Sequence, residues 1–132
     1  MKQTVFLFII WIFSCSNCKA MKPDTVITIV LSQGKQKATI TAHKGDILLV
    51  KLPMASGTGF VWEVGPDKLN LCKQGDTKYE HIKRSMPGSP LMEVINLNIT
   101  ASGIEDISFI YHRPFEKNTA PAKTKQLHLM VQ

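Results

Sequence analysis

The sequence predicts an all-β protein built as a single-domain antiparallel β-sandwich. Apolar residues recur at every second position in several short segments, and turn-forming clusters of Gly, Pro, Asn, Asp or Ser separate these segments. No segment combines a sustained 3.6-residue apolar period with helix caps. The length of 132 residues fits one domain, and no linker or internal repeat divides it.

The first half of the chain contains four predicted strands, at 25–31, 37–42, 46–53 and 59–64. Three of them place apolar side chains on one face by alternation: Ile27, Ile29 and Leu31; Ala38, Ile40 and Ala42; Phe60, Trp62 and Val64. The third strand, at 46–53, is a denser apolar run of the kind that a central strand carries.

The second half contains four more predicted strands, at 78–84, 91–100, 105–113 and 125–131. The first of these is weak and follows a predicted break at Gln74-Gly75. The other three each have an apolar face: Leu91, Ile95, Leu97 and Ile99, interrupted by Glu93; Ile107, Phe109 and Tyr111; Leu127, Leu129 and Val131. So many short strands in about 110 residues indicate a sandwich of immunoglobulin-like type.

Residues 1–20 have the layout of a secretory signal peptide. A short basic start precedes an apolar run that is too short to span a bilayer, and small and polar residues lead to a cleavage site after Ala20. We therefore expect a secreted or otherwise extracytoplasmic protein whose domain is 21–132, without a membrane span. A lipoprotein anchored at Cys15 is the alternative, although Phe13 fits such a site poorly.

The charge of the chain argues against nucleic acid as a partner. The net charge is +6, and it falls to +4 without residues 1–20, because that segment carries Lys2 and Lys19 and no acidic residue. The remaining lysines are scattered singly, with no dense basic run and no interleaved aromatics. We expect a solvated surface and a monomer, with a mild positive field that favours an acidic partner.

Catalytic and metal-binding chemistry has little support in the sequence. Cys72 is the only cysteine of the predicted domain, so no internal disulfide is possible, and a half-buried inert thiol is expected. None of the four histidines has a metal-type spacing to a cysteine or another histidine: His43, His81, His112 and His128. The adjacent Glu105 and Asp106 point to opposite faces of a strand. We predict no catalytic residue, no metal and no cofactor, although a Cys72–His pair stays open.

Asn98-Ile99-Thr100 is a glycosylation sequon, and alternation directs Asn98 away from the Leu97/Ile99 face. It is a possible glycan site in a eukaryotic source, with an unmodified sequon as the alternative.

Three loops are more unusual than the strands: Ala-Ser-Gly-Thr-Gly-Phe at 55–60, Arg-Ser-Met-Pro-Gly-Ser-Pro at 84–90, and His-Arg-Pro-Phe-Glu at 112–116. In the last loop Pro114 ends a strand and leaves Phe115 outside the core pattern, beside Arg113. An aromatic next to an arginine is typical of a binding hot spot. Taken singly, each loop is also compatible with an ordinary turn, or with a Phe115 that covers the core.

Together, these loops resemble those of the chagasin family, protein inhibitors of papain-like cysteine proteases. That family carries an Asn-Pro-Thr-Thr-Gly-aromatic-x-Trp loop, a glycine-rich middle loop and an Arg-Pro-Trp/Phe loop. The first matches here at Thr58, Gly59, Phe60 and Trp62, and the last at Tyr111-x-Arg-Pro-Phe-Glu116. The family's Asn-Pro-Thr is Ala55-Ser56-Gly57 in this chain, and the middle loop has the single glycine Gly88.

The resemblance implies a reversible inhibitor that occludes the protease cleft with three adjacent loops. It implies an immunoglobulin-like sandwich with loop 55–60 over the catalytic centre and the other two loops beside it. The residues implied to contact the protease are Ser56, Gly57, Thr58, Gly59, Phe60, Pro87, Gly88, Ser89, Arg113, Pro114 and Phe115. Trp62 and Tyr111 are predicted to lie in the core, where they anchor the loops. The alternative function is a non-inhibitory extracytoplasmic binding or adhesion module; an enzyme is third.

Overall fold

The computed structural model of the protein describes residues 25–82 and 90–132. Three groups of sequence predictions lie outside these residues: the signal peptide 1–20, the alternative anchor Cys15, and the middle-loop residues Pro87, Gly88 and Ser89. Within the described ranges no helix is long and apolar enough to cross a membrane.

Eight strands form the described structure: β1 Val26–Val30, β2 Lys37–Ala42, β3 Ile47–Met54, β4 Val61–Val64, β5 Cys72–His81, β6 Leu91–Ile99, β7 Gly103–His112 and β8 Lys123–Val131. They make two four-stranded sheets, one ordered β1-β3-β6-β5 and the other ordered β2-β8-β7-β4. The predicted all-β sandwich is thereby confirmed, with one core of side chains drawn from both sheets.

The sheets are mixed, which corrects the prediction of purely antiparallel pairing. β1 runs parallel to β3, and β2 runs parallel to β8, while the other pairs are antiparallel. The chain crosses to the opposite sheet after β1, so β1 and β2 cannot pair with each other as a hairpin. Each then lies beside a strand that is not its hairpin partner and runs in the same direction.

The predicted inward faces are found in the core. Leu31, Trp62, Phe109 and Leu129 are all at most 2% exposed, and Tyr111 is also buried. The denser third strand is central, as expected, between β1 and β6. Because apolar side chains occupy the inward faces, His112 and His128 lie on the outward face. There they bind the carboxylates of Glu63 and Asp106, respectively.

The strand β5 begins earlier in the chain than the sequence predicted. The predicted break at Gln74-Gly75 is wrong, because both residues lie inside β5, which begins at Cys72. The ladder between β5 and β6 instead shifts register between Gln74 and Thr77. A β-bulge accommodates the glycine without ending the strand.

The predicted glycan site, Asn98, is half-buried against β5. A Cβ at Gly75 would lie 3.2 Å from the Asn98 side chain.

Glu93 is a buried carboxylate on the inward face of β6, and it links the two sheets. It is 2% exposed, and its Oε2 accepts a hydrogen bond of 2.8 Å from the backbone N–H of Trp62 on β4. β4 is an edge strand, so this N–H has no neighbouring strand to bind. The residue that interrupts the apolar pattern of β6 thus satisfies an otherwise unpaired donor at the base of loop 55–60.

Glu93→Gln is expected to gain stability over the wild type as the pH rises. Burial raises the pKa of Glu93, and repulsion from Glu63 adds to this, against the opposing hydrogen bond from Trp62. Between the unfolded pKa of about 4.3 and the raised folded pKa, the folded protein therefore binds more protons, and its free energy of unfolding falls as pH increases. Glutamine keeps an acceptor but does not titrate. Urea unfolding at pH 4 and pH 7 measures both proteins; a stability difference independent of pH would contradict this.

Candidate functional site: the loop end of the sandwich

Four connections meet at one end of the sandwich. β1 and β3 end there together, because they are parallel neighbours. β5 and β7 also end there, where their antiparallel partners β6 and β8 begin. The connections are 31–36, 55–60, 82–90 and 113–122. Loops 55–60 and 112–116 therefore lie at the same end of the fold. The described residues that flank the middle loop also lie there, where the backbone N–H of Ile82 donates to the Pro90 carbonyl.

A stack of aromatic rings supports this end from below. The ring of Tyr111 stacks on Phe60 at a centroid distance of 5.1 Å and contacts Trp62 at 4.8 Å. The Tyr111 hydroxyl accepts a 3.1 Å hydrogen bond from the backbone N–H of Ala55, and the Trp62 indole donates to the Pro53 carbonyl at 3.0 Å. Both ends of loop 55–60 are thus fixed to the core, as the prediction for Trp62 and Tyr111 required.

Loop 55–60 is a compact turn with a nearly bare apex. Gly57 and Gly59 both have φ of +77°, a left-handed conformation that strongly favours glycine. The Thr58 hydroxyl donates to the Ala55 carbonyl at 2.9 Å, so it closes the turn. Thr58 thus acts within an ordinary turn, which is the alternative that the sequence allowed for each loop. Open space surrounds the position of a Cβ on Gly57.

Arg113 joins loop 55–60 to loop 112–116. Its Nε donates to the Thr58 carbonyl at 3.1 Å, and its Nη1 binds Oε1 of Glu116 at 2.8 Å. The guanidinium carbon lies 4.5 Å from the centroid of the Phe60 ring, a cation–π contact. One side chain therefore fixes both loops. Glu116, which the sequence included in the family motif without a role, fixes the arginine.

Phe115 projects from this joined pair of loops. Its side chain is 70% exposed, which confirms that it lies outside the core and excludes the alternative of a covering lid. A Cβ at Gly59 would lie only 3.1 Å from the Phe115 ring, so the ring rests over the glycine of the neighbouring loop. Gly57, Gly59 and Pro114 are exposed as well, so the two joined loops present an exposed edge at this end.

Among the described residues, neither Cys72 nor a metal-binding cluster competes with this end as a functional site. Cys72 is buried at the start of β5, and burial, with a smaller effect of Glu105, raises the pKa of its thiol to about 11. The thiolate that nucleophilic catalysis needs is therefore not populated near neutral pH. Across 25–82 and 90–132, no group of three or more His, Cys, Asp and Glu side chains can hold a metal ion.

Comparison with known proteins decides the family. The sequence model for chagasin family peptidase inhibitors (I42) matches residues 41–129. The chain belongs to the chagasin family. It is therefore a chagasin-family cysteine protease inhibitor and not an enzyme, which confirms the resemblance read from its loops.

Individual proteins resemble this chain in sequence or in fold. Amoebiasin-2 of Entamoeba histolytica is 24% identical over 103 residues, which are 77% of this chain and 84% of amoebiasin-2. The crystal structure of the cysteine protease inhibitor EhICP2 from Entamoeba histolytica superposes with a TM-score of 0.67 at 17% identity, over 84% of this chain and 99% of EhICP2. PbICP-C in complex with falcipain-2 superposes with a TM-score of 0.52 at 23% identity, over 80% of this chain and 99% of PbICP-C.

Proposed function

We propose that this protein is a reversible, tight-binding inhibitor of papain-like cysteine proteases that occludes the active-site cleft with loops 55–60, 84–90 and 112–116. The observation that carries the proposal is the rigid edge made by the first and last of these loops, which Arg113 fixes to each other. A preformed edge loses little conformational freedom on binding, so more of its contact energy becomes affinity. We propose that it acts as a monomer, one copy per enzyme.

Loop 55–60 fits the position over the catalytic cysteine. Ser56, Gly57, Thr58 and Gly59 are small, and the two glycines present backbone without a side chain at the apex. Main-chain groups can then approach a catalytic Cys–His pair closely. Gly57 stands where relatives carry a threonine, so at that position this chain offers backbone alone.

Loop 112–116 fits the wall of the cleft beside the catalytic centre. Phe115 supplies an exposed aromatic surface on a backbone that Pro114 and the Arg113–Glu116 pair restrain. Exposed, rigid aromatic side chains are the typical hot spots of protein interfaces. In the free protein Arg113 already binds groups of its own chain. This favours a role in orienting the loops rather than a direct ion pair with the enzyme.

Pro87, Gly88 and Ser89 are proposed as the third contact on the opposite flank. Their support is sequence together with the position of the loop ends: Ile82 and Pro90 lie at the same end of the sandwich as the other two loops. Pro90 also shares a cavity with Thr58 and Phe60, so the loop returns to the sheet next to loop 55–60.

The choice of papain-like enzymes as targets has two supports. The chagasin family inhibits peptidases, and the structural neighbour PbICP-C is described in complex with falcipain-2. The test is titration of purified residues 21–132 against papain and a cathepsin L-type enzyme, with trypsin as the control. We expect inhibition of the cysteine proteases alone. If neither cysteine enzyme is inhibited, the adhesion-module alternative is favoured. Equal inhibition of trypsin would contradict the proposed restriction to cysteine proteases.

Arg113→Lys is expected to raise the inhibition constant by about tenfold while leaving the fold intact. Lysine keeps the positive charge but cannot bind the Thr58 carbonyl and the Glu116 carboxylate through a planar fork while stacking on Phe60. Loops 55–60 and 112–116 would then be ordered only on binding. Inhibition assays measure the loss, and hydrogen exchange of the free protein should show faster exchange in 55–60. Unchanged exchange and unchanged inhibition would overturn the role given to Arg113.

We also propose that residues 1–20 direct the protein out of the cytosol and are removed. The support is the basic, apolar and small-residue order of that segment. Expression of the full chain in a secreting eukaryotic host should release a product that begins at residue 21. Retention of Met1 in a cytosolic product would contradict secretion, and a lipid on Cys15 after expression in a bacterial host would favour the alternative anchor.

A further inference from the structure

The turn 31–36 is a fourth connection at the loop end, and a buried lysine holds it in place. Lys125 of β8 is only 5% exposed, and its Nζ donates to the carbonyls of Ser32 and Lys35, the latter at 3.0 Å. The backbone N–H of Lys35 also closes the turn onto the Ser32 carbonyl. Burying an ammonium group costs free energy unless it is hydrogen-bonded, and the two carbonyls of this turn supply those bonds. The same bonds hold the turn in position, which an apolar core residue could not do.

A groove runs between this turn and the loops of the proposed inhibitory edge. A cavity of about 550 Å³ lies between Gln33, Trp62 and Lys123, and an adjoining cavity of about 290 Å³ extends it to Thr58 and Phe60. Gln33, Pro53 and Lys123 line both cavities. The groove therefore opens at the same end as loop 55–60, with aromatic side chains below and amide and ammonium groups at its rim.

Among the described residues that line this groove, the charged side chains are all positive. Lys123 and Lys125 line it, and no acidic residue is among the described residues that do so. Burial lowers the pKa of Lys125, and the charge of Lys123 lowers it further. The carboxylate of Glu116, on the neighbouring loop, is already paired with Arg113. Lys123 is exposed, and its described contact is with the Tyr111 ring, 5.6 Å from the centroid.

We propose that this groove receives an acidic surface segment of the target protease, with Lys123 as its principal charged contact and Gln33 at its rim. The turn 31–36 is then a fourth contact element, which selects among papain-like proteases by the charge beside their clefts. The proposal rests on the proposed function, since it requires the loop end to face the enzyme. Complementary charge at the edge of an interface acts mainly on the association rate and on specificity.

The test compares two variants with the same change of charge. Lys123→Glu reverses the charge in the groove, and Lys44→Glu reverses the charge of an exposed lysine at the opposite end, between β2 and β3. Association rates are measured at several salt concentrations with a papain-like protease of net negative charge and with one of net positive charge. At low salt, with the acidic enzyme, we expect Lys123→Glu to slow association about tenfold and Lys44→Glu less than about twofold. The basic enzyme should associate slowly with the wild type and faster with Lys123→Glu.

The outcomes separate this proposal from the function on which it rests. Inhibition by the wild type together with equal effects of Lys123→Glu and Lys44→Glu would overturn the groove alone. Absence of inhibition by the wild type would overturn the proposed function and the groove with it. A Lys123→Gln variant distinguishes loss of attraction from new repulsion: it should slow association with the acidic enzyme by a smaller factor and weaken the salt dependence.

Discussion

Phe115→Ala is expected to raise the inhibition constant against a papain-like protease by about thirtyfold or more, equivalent to about 2 kcal/mol of binding free energy. The Phe115 ring is 70% exposed in the free protein, so its removal leaves the core intact and removes apolar area that only a partner can cover. Its backbone is already restrained by the Arg113–Glu116 pair, so little order is lost when the ring is buried.

Ile104→Ala provides the matched control for Phe115→Ala. Ile104 is also 70% exposed and apolar, but it lies near the start of β7, at the opposite end of the sandwich. We expect its inhibition constant to equal that of the wild type. Equal inhibition by Phe115→Ala and the wild type, measured with the same enzyme, would remove loop 112–116 from the proposed interface.

Gly57→Glu is expected to abolish inhibition while the protein stays folded. A Cβ at this position would have open space around it in the free protein, so the side chain starts without a clash. In the complex the same position is proposed to face the catalytic cysteine, where a long charged side chain would prevent close approach and lose its hydration. The backbone φ of +77° adds a strain of about 1–3 kcal/mol to folding for any residue other than glycine.

Gly57→Ala separates this strain from the obstruction. Alanine carries the same backbone penalty but adds one methyl group, so we expect a similar loss of thermal stability and inhibition that is largely retained. Titration of both variants against papain, with thermal unfolding alongside, measures the two effects. Full inhibition by Gly57→Glu would show that the apex of loop 55–60 does not lie over the catalytic centre.

The faces of the strands could be predicted from the sequence because alternation alone fixes them. Trp62, Phe109 and Leu129 lie in the core as their period of two requires. Which strands are neighbours could not be predicted, because a period of two contains no information about partners. The parallel pairing of β1 with β3 and of β2 with β8 depends on where the chain crosses between sheets.

The least predictable residues are the buried charged ones. Lysine and glutamate are usually exposed. The sequence marked Glu93 only as an interruption of an apolar face, and it assigned no role to Lys125. Both instead bind backbone groups of a distant segment, the turn 31–36 for Lys125 and β4 for Glu93. Such contacts join residues that are 31 to 93 positions apart, and local sequence gives no signal for them.

The sequence singled out residues of the candidate site, but it did not predict the contacts that connect them. Thr58, Gly59 and Phe115 could be singled out because they depart from strand chemistry and match a family pattern. The contacts that bring them together are long-range: the Arg113 guanidinium on Thr58 and Phe60, and the Tyr111 hydroxyl on the Ala55 N–H. These contacts explain why the residue between the end of β7 and Pro114 is an arginine.

Occlusion of the active-site cleft is tested most directly by filling the cleft before the inhibitor is added. Binding of residues 21–132 is measured by calorimetry to two forms of one papain-like protease: one with the catalytic cysteine replaced by alanine, and one whose cleft holds a covalently bound peptidyl inhibitor. Steric occlusion by the loop end predicts tight binding to the alanine form and no measurable binding to the filled form. Equal affinity for the two forms would contradict it, because the inhibitor would then bind outside the cleft.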